Sequence, residues 1–299
     1  MRSNVPSGSP VLRFAPSPNG LLHLGHAYSA LCNERIAKEM NGRLLLRIED
    51  LDRTRCKPLY EAAIREDLAW LGLRFEGRAR RQSEHAGDYA AALDRLAGRG
   101  LVYPCFCSRG EIARASVGCD PDGAPLYSGA CRALSASAVA LREARGEKRA
   151  LRLDMRRASE CAPVGLVWTE FGEGTTPVDE AAEPTRWGDV VLGGRDLGAS
   201  YHLAVTVDDA LQGVTDVVRG RDLRAATSVH RLLQALLDLP APRYRHHRLV
   251  LDPAGAKLAK RRRSPSLAEL RAGGVSPAMV RAALGFGAGD SGGLGVVLS

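Results

Sequence analysis

Apolar and polar residues in the first fifty positions follow the periods of strands and helices. The apolar run from Val11 to Ala15 predicts a short buried strand, which ends at the turn-forming residues 16–20. Apolar residues near helical spacing predict a helix from Leu24 to Met40, and Arg43 to Ile48 predicts a second strand. A strand, a glycine-containing turn, a helix and a strand in this order form a βαβ unit, in which the two strands are parallel.

The pattern changes in the middle of the chain. Helical patterns follow at Leu59 to Leu71 and at Tyr89 to Gly100. From Tyr103 to about Pro163, cysteine, glycine, proline and small residues replace the α/β alternation. We therefore interpret this segment as an insertion.

The α/β pattern then returns. It predicts a strand at Leu203 to Val207, a helix at Ala225 to Leu237, a strand at Leu249 to Leu251 and a helical stretch from Ser266 to Leu284. The glycine-rich residues after Gly285 have little to pack against, so we expect them to fray. An interrupted and resumed parallel sheet predicts an α/β protein with one split, Rossmann-like nucleotide-binding domain. The predicted units are residues 11–102 and 166–250 for the two halves of that domain, 103–165 for the insertion, and 251–299 for a loop and a short helical segment.

Net charge, the length of apolar runs and the cysteine content each add a constraint. Lys and Arg number 42 against 34 Asp and Glu, which gives a net charge of +8, so the partner could be a polyanion, although a solvated arginine-rich surface would explain the charge equally well. No apolar run approaches the roughly 20 residues of a membrane span, and the N-terminus lacks the apolar stretch of a signal peptide, so we expect a cytoplasmic protein with no membrane partner. We also expect a monomer, although the sequence does not itself reveal the oligomeric state. The seven cysteines form an odd set with one tight cluster, which favours metal binding over disulfides.

Two segments carry candidate nucleotide chemistry. His23, Gly25 and His26 stand where the first strand leads into the first helix, a position that offers backbone N–H groups and a partial positive charge to phosphates. Near the other end, Lys257 and Lys260 follow a predicted strand at the carboxyl side of the sheet, where they could neutralise a triphosphate. Taken singly, the histidines could be ordinary surface residues and the basic run a solvated patch.

The two segments resemble the HIGH and KMSKS signatures of class I aminoacyl-tRNA synthetases, and residues 13–20 (RFAPSPNG) resemble the glutamyl/glutaminyl branch. Residues 47–52, 201–209 and 218–223 resemble that branch in the same order along the chain. The resemblance implies ATP binding by His23, Gly25, His26, Lys257 and Lys260, with His23, His26 and Lys260 catalytic. Ala259 replaces the serine usual in the second signature, which removes one hydroxyl donor but keeps both lysines, so we expect activity with an altered loop. Arg248 is a second departure, because the branch often has proline at that place.

The same resemblance implies an L-glutamate pocket. Arginine is suited to a buried carboxylate because it donates two parallel hydrogen bonds, and an α-ammonium requires a carboxylate partner. Arg13 and Arg219 could provide the first and Glu49 the second. The implied pocket residues are Arg13, Phe14, Ala15, Pro16, Ser17, Glu49, Tyr201 and Arg219.

Length suggests the acceptor. Only 36 residues follow Arg263, so we do not expect the anticodon-binding domain of a full glutamyl-tRNA synthetase. The chain is most similar to the short members of the branch, the glutamyl-queuosine tRNA(Asp) synthetases. The resemblance implies activation of glutamate with ATP and Mg²⁺, and transfer to queuosine in the anticodon loop of tRNA(Asp). A non-catalytic tRNA-binding homologue and a glutamate-activating ligase with another acceptor remain alternatives.

The cysteine cluster suggests a structural Zn²⁺ site within the insertion. Cys105, Cys107 and Cys131 provide three thiolates, and a closed tetrahedral site needs a fourth ligand. Cys119 is the chemically commoner donor, whereas Tyr127 matches a tyrosine ligand in the short members of the branch. We favour Tyr127 on that resemblance.

Overall fold

The structure is a computed structural model that describes residues 8–172, 174, 176–194, 198–252, 255, 265–288, 291 and 293–299. Within this part of the chain the strands are β1 (Val11–Phe14), β2 (Arg43–Ile48), β3 (Arg80–Arg81), β4 (Val102–Cys105), β5 (Ala150–Leu153), β6 (Val167–Glu170), β7 (Val178–Ala181), β8 (Val191–Gly193), β9 (Asp216–Gly220), β10 (Arg243–His247), β11 (Val250–Leu251) and β12 (Val297–Leu298). The α-helices are α1 (Leu24–Glu39), α2 (Pro58–Trp70), α3 (Ala86–Gly98), α4 (Arg109–Ala115), α5 (Ala136–Ala144), α6 (Met155–Cys161), α7 (Tyr201–Leu211), α8 (Thr227–Leu236), α9 (Leu267–Ala272) and α10 (Pro277–Ala283).

The predicted βαβ unit is confirmed. Strands β1 and β2 are parallel and pair from Val11 opposite Arg43 to Phe14 opposite Leu46, with α1 as the crossover. The turn between α1 and β2 needs Gly42, since a Cβ there would lie 2.7 Å from the carbonyl oxygen of Pro10. That carbonyl accepts the Arg43 N–H at 2.7 Å, so the turn fixes the register of the first strand pair.

The nucleotide-binding layer consists of two parallel groups of strands. Strands β1, β2 and β3 form one group; in the other, β6, β10 and β9 are parallel and β7 is antiparallel to β6. The groups meet where β1 lies beside the start of β9, because the Thr215 N–H donates to the Val11 carbonyl at 2.9 Å. The predicted Rossmann-like parallel sheet is thus present. The carboxyl ends of β1 and β9 lie side by side, which is where open α/β sheets bind ligands.

One predicted element was wrong. Leu203 to Val207, expected as a strand, lies within α7, where Ser200 caps the helix by accepting the Leu203 N–H. A short apolar run that is buried on most sides has the same composition in a strand and in a core helix, so periodicity alone does not separate them. The parallel strands of this half are β6, β9 and β10.

The C-terminal part also differs from expectation. Residues 266–284 form two short helices, α9 and α10, because Gly273 and Gly274 interrupt the pattern. The tail after Gly285 does not simply fray: Phe286 packs against the core, and β12 pairs antiparallel with β11.

The predicted insertion begins in a separate antiparallel sheet. Strand β5 pairs with β4 on one side and with β8 on the other. A small cluster of Cys105, Phe106, Tyr127 and Cys131 is buried beside it. The larger cores lie on the two faces of the parallel layer, one under α1, α2 and α9, the other among α3, α7 and α8.

Across the described residues, the structure contains no helix that combines the length and the apolar character needed to cross a bilayer.

Candidate active site

A cavity of about 700 Å³ opens at the carboxyl ends of β1 and β9. It brings together most of the residues predicted from the sequence, although they are spread over two hundred positions. Those that line it are Arg13, Phe14, Ala15, Pro16, Ser17, His23, Gly25, His26, Glu49, Tyr201 and Arg219. Lys257 and Lys260 lie outside the described residues, as does Ala259. Val250 of the preceding strand β11 lines the cavity, and Arg248 does too.

His23 and His26 form the N-terminal cap of α1. His23 is the N-cap residue, with extended backbone, rather than a residue within the helix, and its Nδ1 accepts the Gly25 N–H at 3.1 Å. In return, His26 Nδ1 accepts the His23 N–H at 3.1 Å, and the ring centroids are 3.9 Å apart. Because each Nδ1 is an acceptor, the proton of each neutral ring is at Nε2. The arrangement therefore holds two imidazoles at a helix N-terminus, where the helix dipole favours anions.

Arg13 and Arg47 share one buried carboxylate beneath the cavity. Asp209 of α7 accepts from Arg13 Nε at 3.0 Å and from Arg47 Nη2 at 2.5 Å. Arg47 is fully buried, and Asp208 continues the network to Arg80 at 2.6 Å. Burying these charges is tolerable because each is paired. The ion pair with Asp209 therefore fixes the orientation of the Arg13 side chain in the cavity wall.

Arg219 of β9 has a different environment. Its guanidinium is buried, with Cζ 5.5 Å from the centroid of the Tyr244 ring, and among the described residues it has five hydrogen-bond partners, each of them neutral. They are the Tyr201 hydroxyl (3.5 Å), His230 Nδ1 (3.3 Å), His246 Nε2 (3.1 Å), the Leu223 carbonyl (3.1 Å) and the Thr227 hydroxyl (2.7 Å). Burial lowers the pKa of His230 well below its usual value and lowers that of His246, so both rings are neutral near pH 7.

Glu49, which follows β2, is one of two carboxylates in the cavity wall; the other is Asp222. Burial in the cavity wall raises the pKa of Glu49 to about 7, although Arg47 and Arg13 act in the opposite direction. A carboxylate with that pKa binds an ammonium group in its ionised form and loses most of that attraction when protonated. The cavity thus offers three arginines (Arg13, Arg219 and Arg248), two carboxylates (Glu49 and Asp222) and a helix N-terminus.

Several of these supporting residues were missed at the level of the sequence. Asp208 and Asp209 stand in an otherwise apolar stretch, and buried carboxylates require partners, so the pattern contained a signal. His246 and Glu170 had no such signal, because they come from strands, β10 and β6, that are distant in the sequence.

The cysteine cluster is assembled beside the antiparallel sheet. The sulfur atoms of Cys105, Cys107 and Cys131 all lie within 4.8 Å of one another, which fits a common metal ion. The Tyr127 hydroxyl lies 3.7 Å from Cys107 Sγ and accepts the Cys131 N–H at 2.8 Å. Cys119 is exposed, and it is outside the group of ligand atoms found among the described residues.

Comparisons with known proteins give matches over most of the chain. Residues 11–291 match the family described as tRNA synthetases class I (E and Q), catalytic domain. A glutamyl-Q tRNA(Asp) synthetase of Rhodobacter capsulatus is 46% identical over 290 residues, which cover 92% of this chain and all of that protein. A similar protein of Symbiobacterium thermophilum, also named glutamyl-Q tRNA(Asp) synthetase, is 41% identical, covering 90% of this chain and 83% of its own.

Solved structures agree as well. A glutamate tRNA ligase of Elizabethkingia meningosepticum, crystallised with its amino acid, superposes with a TM-score of 0.73 at 26% identity. The match covers 93% of this chain and 60% of that longer protein. The sequence signatures, the parallel sheet and the cavity at its carboxyl edge lead to one conclusion: this chain belongs to the class I tRNA synthetases of the glutamyl and glutaminyl branch.

Proposed function

We propose that this protein is an ATP-dependent ligase that activates L-glutamate and transfers it to queuosine in the anticodon loop of tRNA(Asp). The observation that supports the amino acid best is the placement of Arg13, Arg219 and Glu49 around one cavity whose rim carries His23 and His26. The relatives at 46% and 41% identity, both named for this activity, support the acceptor.

The proposed activation step uses these groups as follows. Arg13 and Arg219 bind the side-chain carboxylate of glutamate, and Glu49 binds its α-ammonium, so the α-carboxylate is left to react. An oxygen of that carboxylate attacks the α-phosphorus of ATP, and the bond from the α-phosphorus to the pyrophosphate oxygen breaks. The products are glutamyl-adenylate and pyrophosphate.

His23 and His26 donate from Nε2 to phosphoryl oxygens as charge accumulates, and the N-terminus of α1 adds its partial positive charge. Lys257 and Lys260 would neutralise the leaving pyrophosphate, and Gly25 would allow the nucleotide to approach the backbone. ATP would bring Mg²⁺ as part of the substrate, because its phosphates carry more charge than lysines alone neutralise. In the second step a hydroxyl of queuosine attacks the acyl carbon, and AMP leaves.

The cysteine cluster would hold a structural Zn²⁺, with Cys105, Cys107, Cys131 and Tyr127 as ligands. Three thiolates and one hydroxyl are the number of donors that a closed tetrahedral site requires. When bound, the ion would crosslink β4 to the loop that carries Tyr127 and Cys131.

Glutamate-dependent exchange of pyrophosphate into ATP tests the activation step. Folded protein without such exchange would contradict the proposal. The acceptor is tested by incubating the protein with ATP, labelled glutamate and tRNA pools with and without queuosine. Label on queuosine-bearing tRNA(Asp) alone is expected, whereas label on the terminal adenosine of tRNA(Glu) would identify an ordinary glutamate–tRNA ligase, and no label would favour a different acceptor.

A further inference from the structure

The buried pair of Glu170 and His246 lies outside the glutamate cavity but contacts its arginine. Glu170 ends strand β6 and His246 lies on β10; both side chains are almost completely buried. His246 Nδ1 is 2.5 Å from Glu170 Oε2, and its Nε2 is 3.1 Å from Arg219 Nε. The imidazole therefore connects a carboxylate to the guanidinium of Arg219.

The hydrogen-bond chemistry fixes the tautomer of His246. Arg219 Nε can only donate, so His246 Nε2 must be an unprotonated acceptor. The ring proton is then at Nδ1 and is donated to Glu170 Oε2. Burial lowers the pKa of His246, which agrees with a neutral ring.

Glu170 is itself held in place by the backbone. Its Oε1 accepts the His246 N–H at 3.0 Å and the Gly172 N–H at 2.8 Å. Burial alone would raise the pKa of Glu170, but the hydrogen bond from the His246 ring and these two backbone donors lower it well below its usual value. The carboxylate thus stays ionised and in one orientation.

We infer that Glu170, acting through His246, is a positioning residue for the glutamate-binding arginine of the proposed function. By fixing the tautomer of His246, it keeps Arg219 oriented by neutral acceptors. The positive charge of Arg219 is then left for the substrate carboxylate, because no carboxylate is among its five hydrogen-bond partners in the described part of the chain. A carboxylate in place of His246 would orient Arg219 equally well and would compete with the substrate.

The variant Glu170→Gln tests this inference with almost no change of shape. The amide oxygen is expected to keep the two backbone donors, which places the amide NH₂ against His246 Nδ1. That nitrogen must then accept, so the proton moves to Nε2 and opposes the Arg219 Nε–H. We expect KM for glutamate in pyrophosphate exchange to rise roughly tenfold, with KM for ATP unchanged, because one hydrogen bond to a charged group is lost.

Two controls separate positioning from general damage. Glu180→Gln alters another carboxylate that lines the same small cavity as Glu170 but pairs with Arg224, so KM for glutamate should stay at the wild-type value. In a His246→Leu background, Glu170→Gln should raise KM no further, since its effect passes through the ring. Additive effects of the two substitutions, or an equal rise of KM for both substrates, would refute the inference.

Neutron diffraction of the wild-type protein decides the tautomer even if the variants fold poorly. A hydrogen at His246 Nδ1 and none at Nε2 is expected; a hydrogen at Nε2 would overturn the inference. A wild-type protein that lacks glutamate-dependent pyrophosphate exchange would contradict the proposed function. An unchanged KM for glutamate in Glu170→Gln would contradict only the positioning role of Glu170.

Discussion

At the scale of single residues, the cavity places an acid with an unusual pKa where the substrate amine would bind. Burial disfavours the ionised form of Glu49 and raises its pKa to about 7. As the pH rises through this pKa, we expect the affinity for glutamate to increase and the stability of the folded protein to decrease. Both consequences can be measured on one variant.

We expect KM for glutamate to fall as the pH rises from about 6 to about 8, since Glu49 must be ionised to attract the α-ammonium. Well below the pKa of about 7 the change should approach tenfold per pH unit, and above it KM should level off. Pyrophosphate exchange at a series of pH values measures this profile. In Glu49→Gln, KM should be high and should lose this dependence; a profile that persists in the variant would assign the titration to another group.

Stability should change with the opposite sign. The folded-state pKa of Glu49 is raised from 4.5 to about 7, so the folded protein holds a proton that the unfolded chain releases, and this contribution to stability is lost as the pH rises through that interval. Glu49→Gln, which mimics the protonated acid, should therefore unfold at a higher temperature than the wild type near pH 8. Thermal unfolding at about pH 8 and about pH 5 tests this, and an advantage that grows toward acid pH would contradict the assignment.

At the scale of elements, one residue at the start of α1 has two roles: it caps the helix, and it belongs to the proposed catalytic site. His23 satisfies an N–H of the first helical turn with the same ring that faces the cavity. The two roles are separable because asparagine caps a helix well but lacks an imidazole.

His23→Asn is expected to keep the unfolding free energy close to the wild-type value while lowering kcat for pyrophosphate exchange by roughly a hundredfold, the usual cost of removing one donor to a charged transition state. His23→Ala should lose the same activity and about 1 kcal/mol of stability as well. Urea unfolding and exchange kinetics on both variants separate the effects. Equal activity of His23→Asn and wild type would show that the ring serves the cap alone.

The proposed Zn²⁺ ligands at the end of β4 and in the loops that follow it give another prediction. Tyr127→Phe should bind zinc more weakly than the wild type, because the hydroxyl beside Cys107 and Cys131 is lost. Cys119→Ser should retain the metal, since Cys119 lies outside the sulfur group. Zinc content by mass spectrometry after dialysis against a chelator measures both. Loss of zinc in Cys119→Ser but not in Tyr127→Phe would reverse the assignment of the fourth ligand.

Periodicity predicted the elements near the N-terminus well because each of them carries its own signal. The turn at Gly42 and the helical spacing of the apolar residues in α1 are local features. Strand β9, which presents Arg219, was not recognised as a strand because only Val217 and Val218 of its five residues are apolar. Part of α7 was taken for a strand because Leu203 to Val207 is a short, largely apolar run. The candidate site residues could nevertheless be predicted, since the signatures occur in a fixed order along the chain, and most of them line one cavity.

At the scale of the whole molecule, a buried ionic network joins the two halves of the parallel layer. Asp209 of α7 pairs with Arg13 of β1 and Arg47 of β2, although about 160 or more residues separate them in the sequence. No local pattern predicts such pairing. The network also couples the orientation of a cavity arginine to the integrity of the fold.

Asp209→Asn is expected to destabilise the protein by about 3–5 kcal/mol, because it leaves two buried guanidinium groups without their shared carboxylate. It should also raise KM for glutamate, since Arg13 loses its fixed orientation. Urea unfolding and exchange kinetics measure the two effects, with Asp88→Asn, at the more exposed end of the network, as the milder control. A loss of stability with unchanged KM would show that the network stabilises the fold but does not orient Arg13 for substrate binding.

The pairing of β12 with β11 has a practical consequence for experiments on this protein. The Ser299 N–H donates to the Leu249 carbonyl at 3.1 Å, and Leu249 and Val250 line the cavity. An affinity tag or a surface-immobilisation linker attached after Ser299 would begin beside the strand pair that forms part of the cavity wall. Kinetic constants measured on such a fusion should be compared with those of protein from which the tag has been removed.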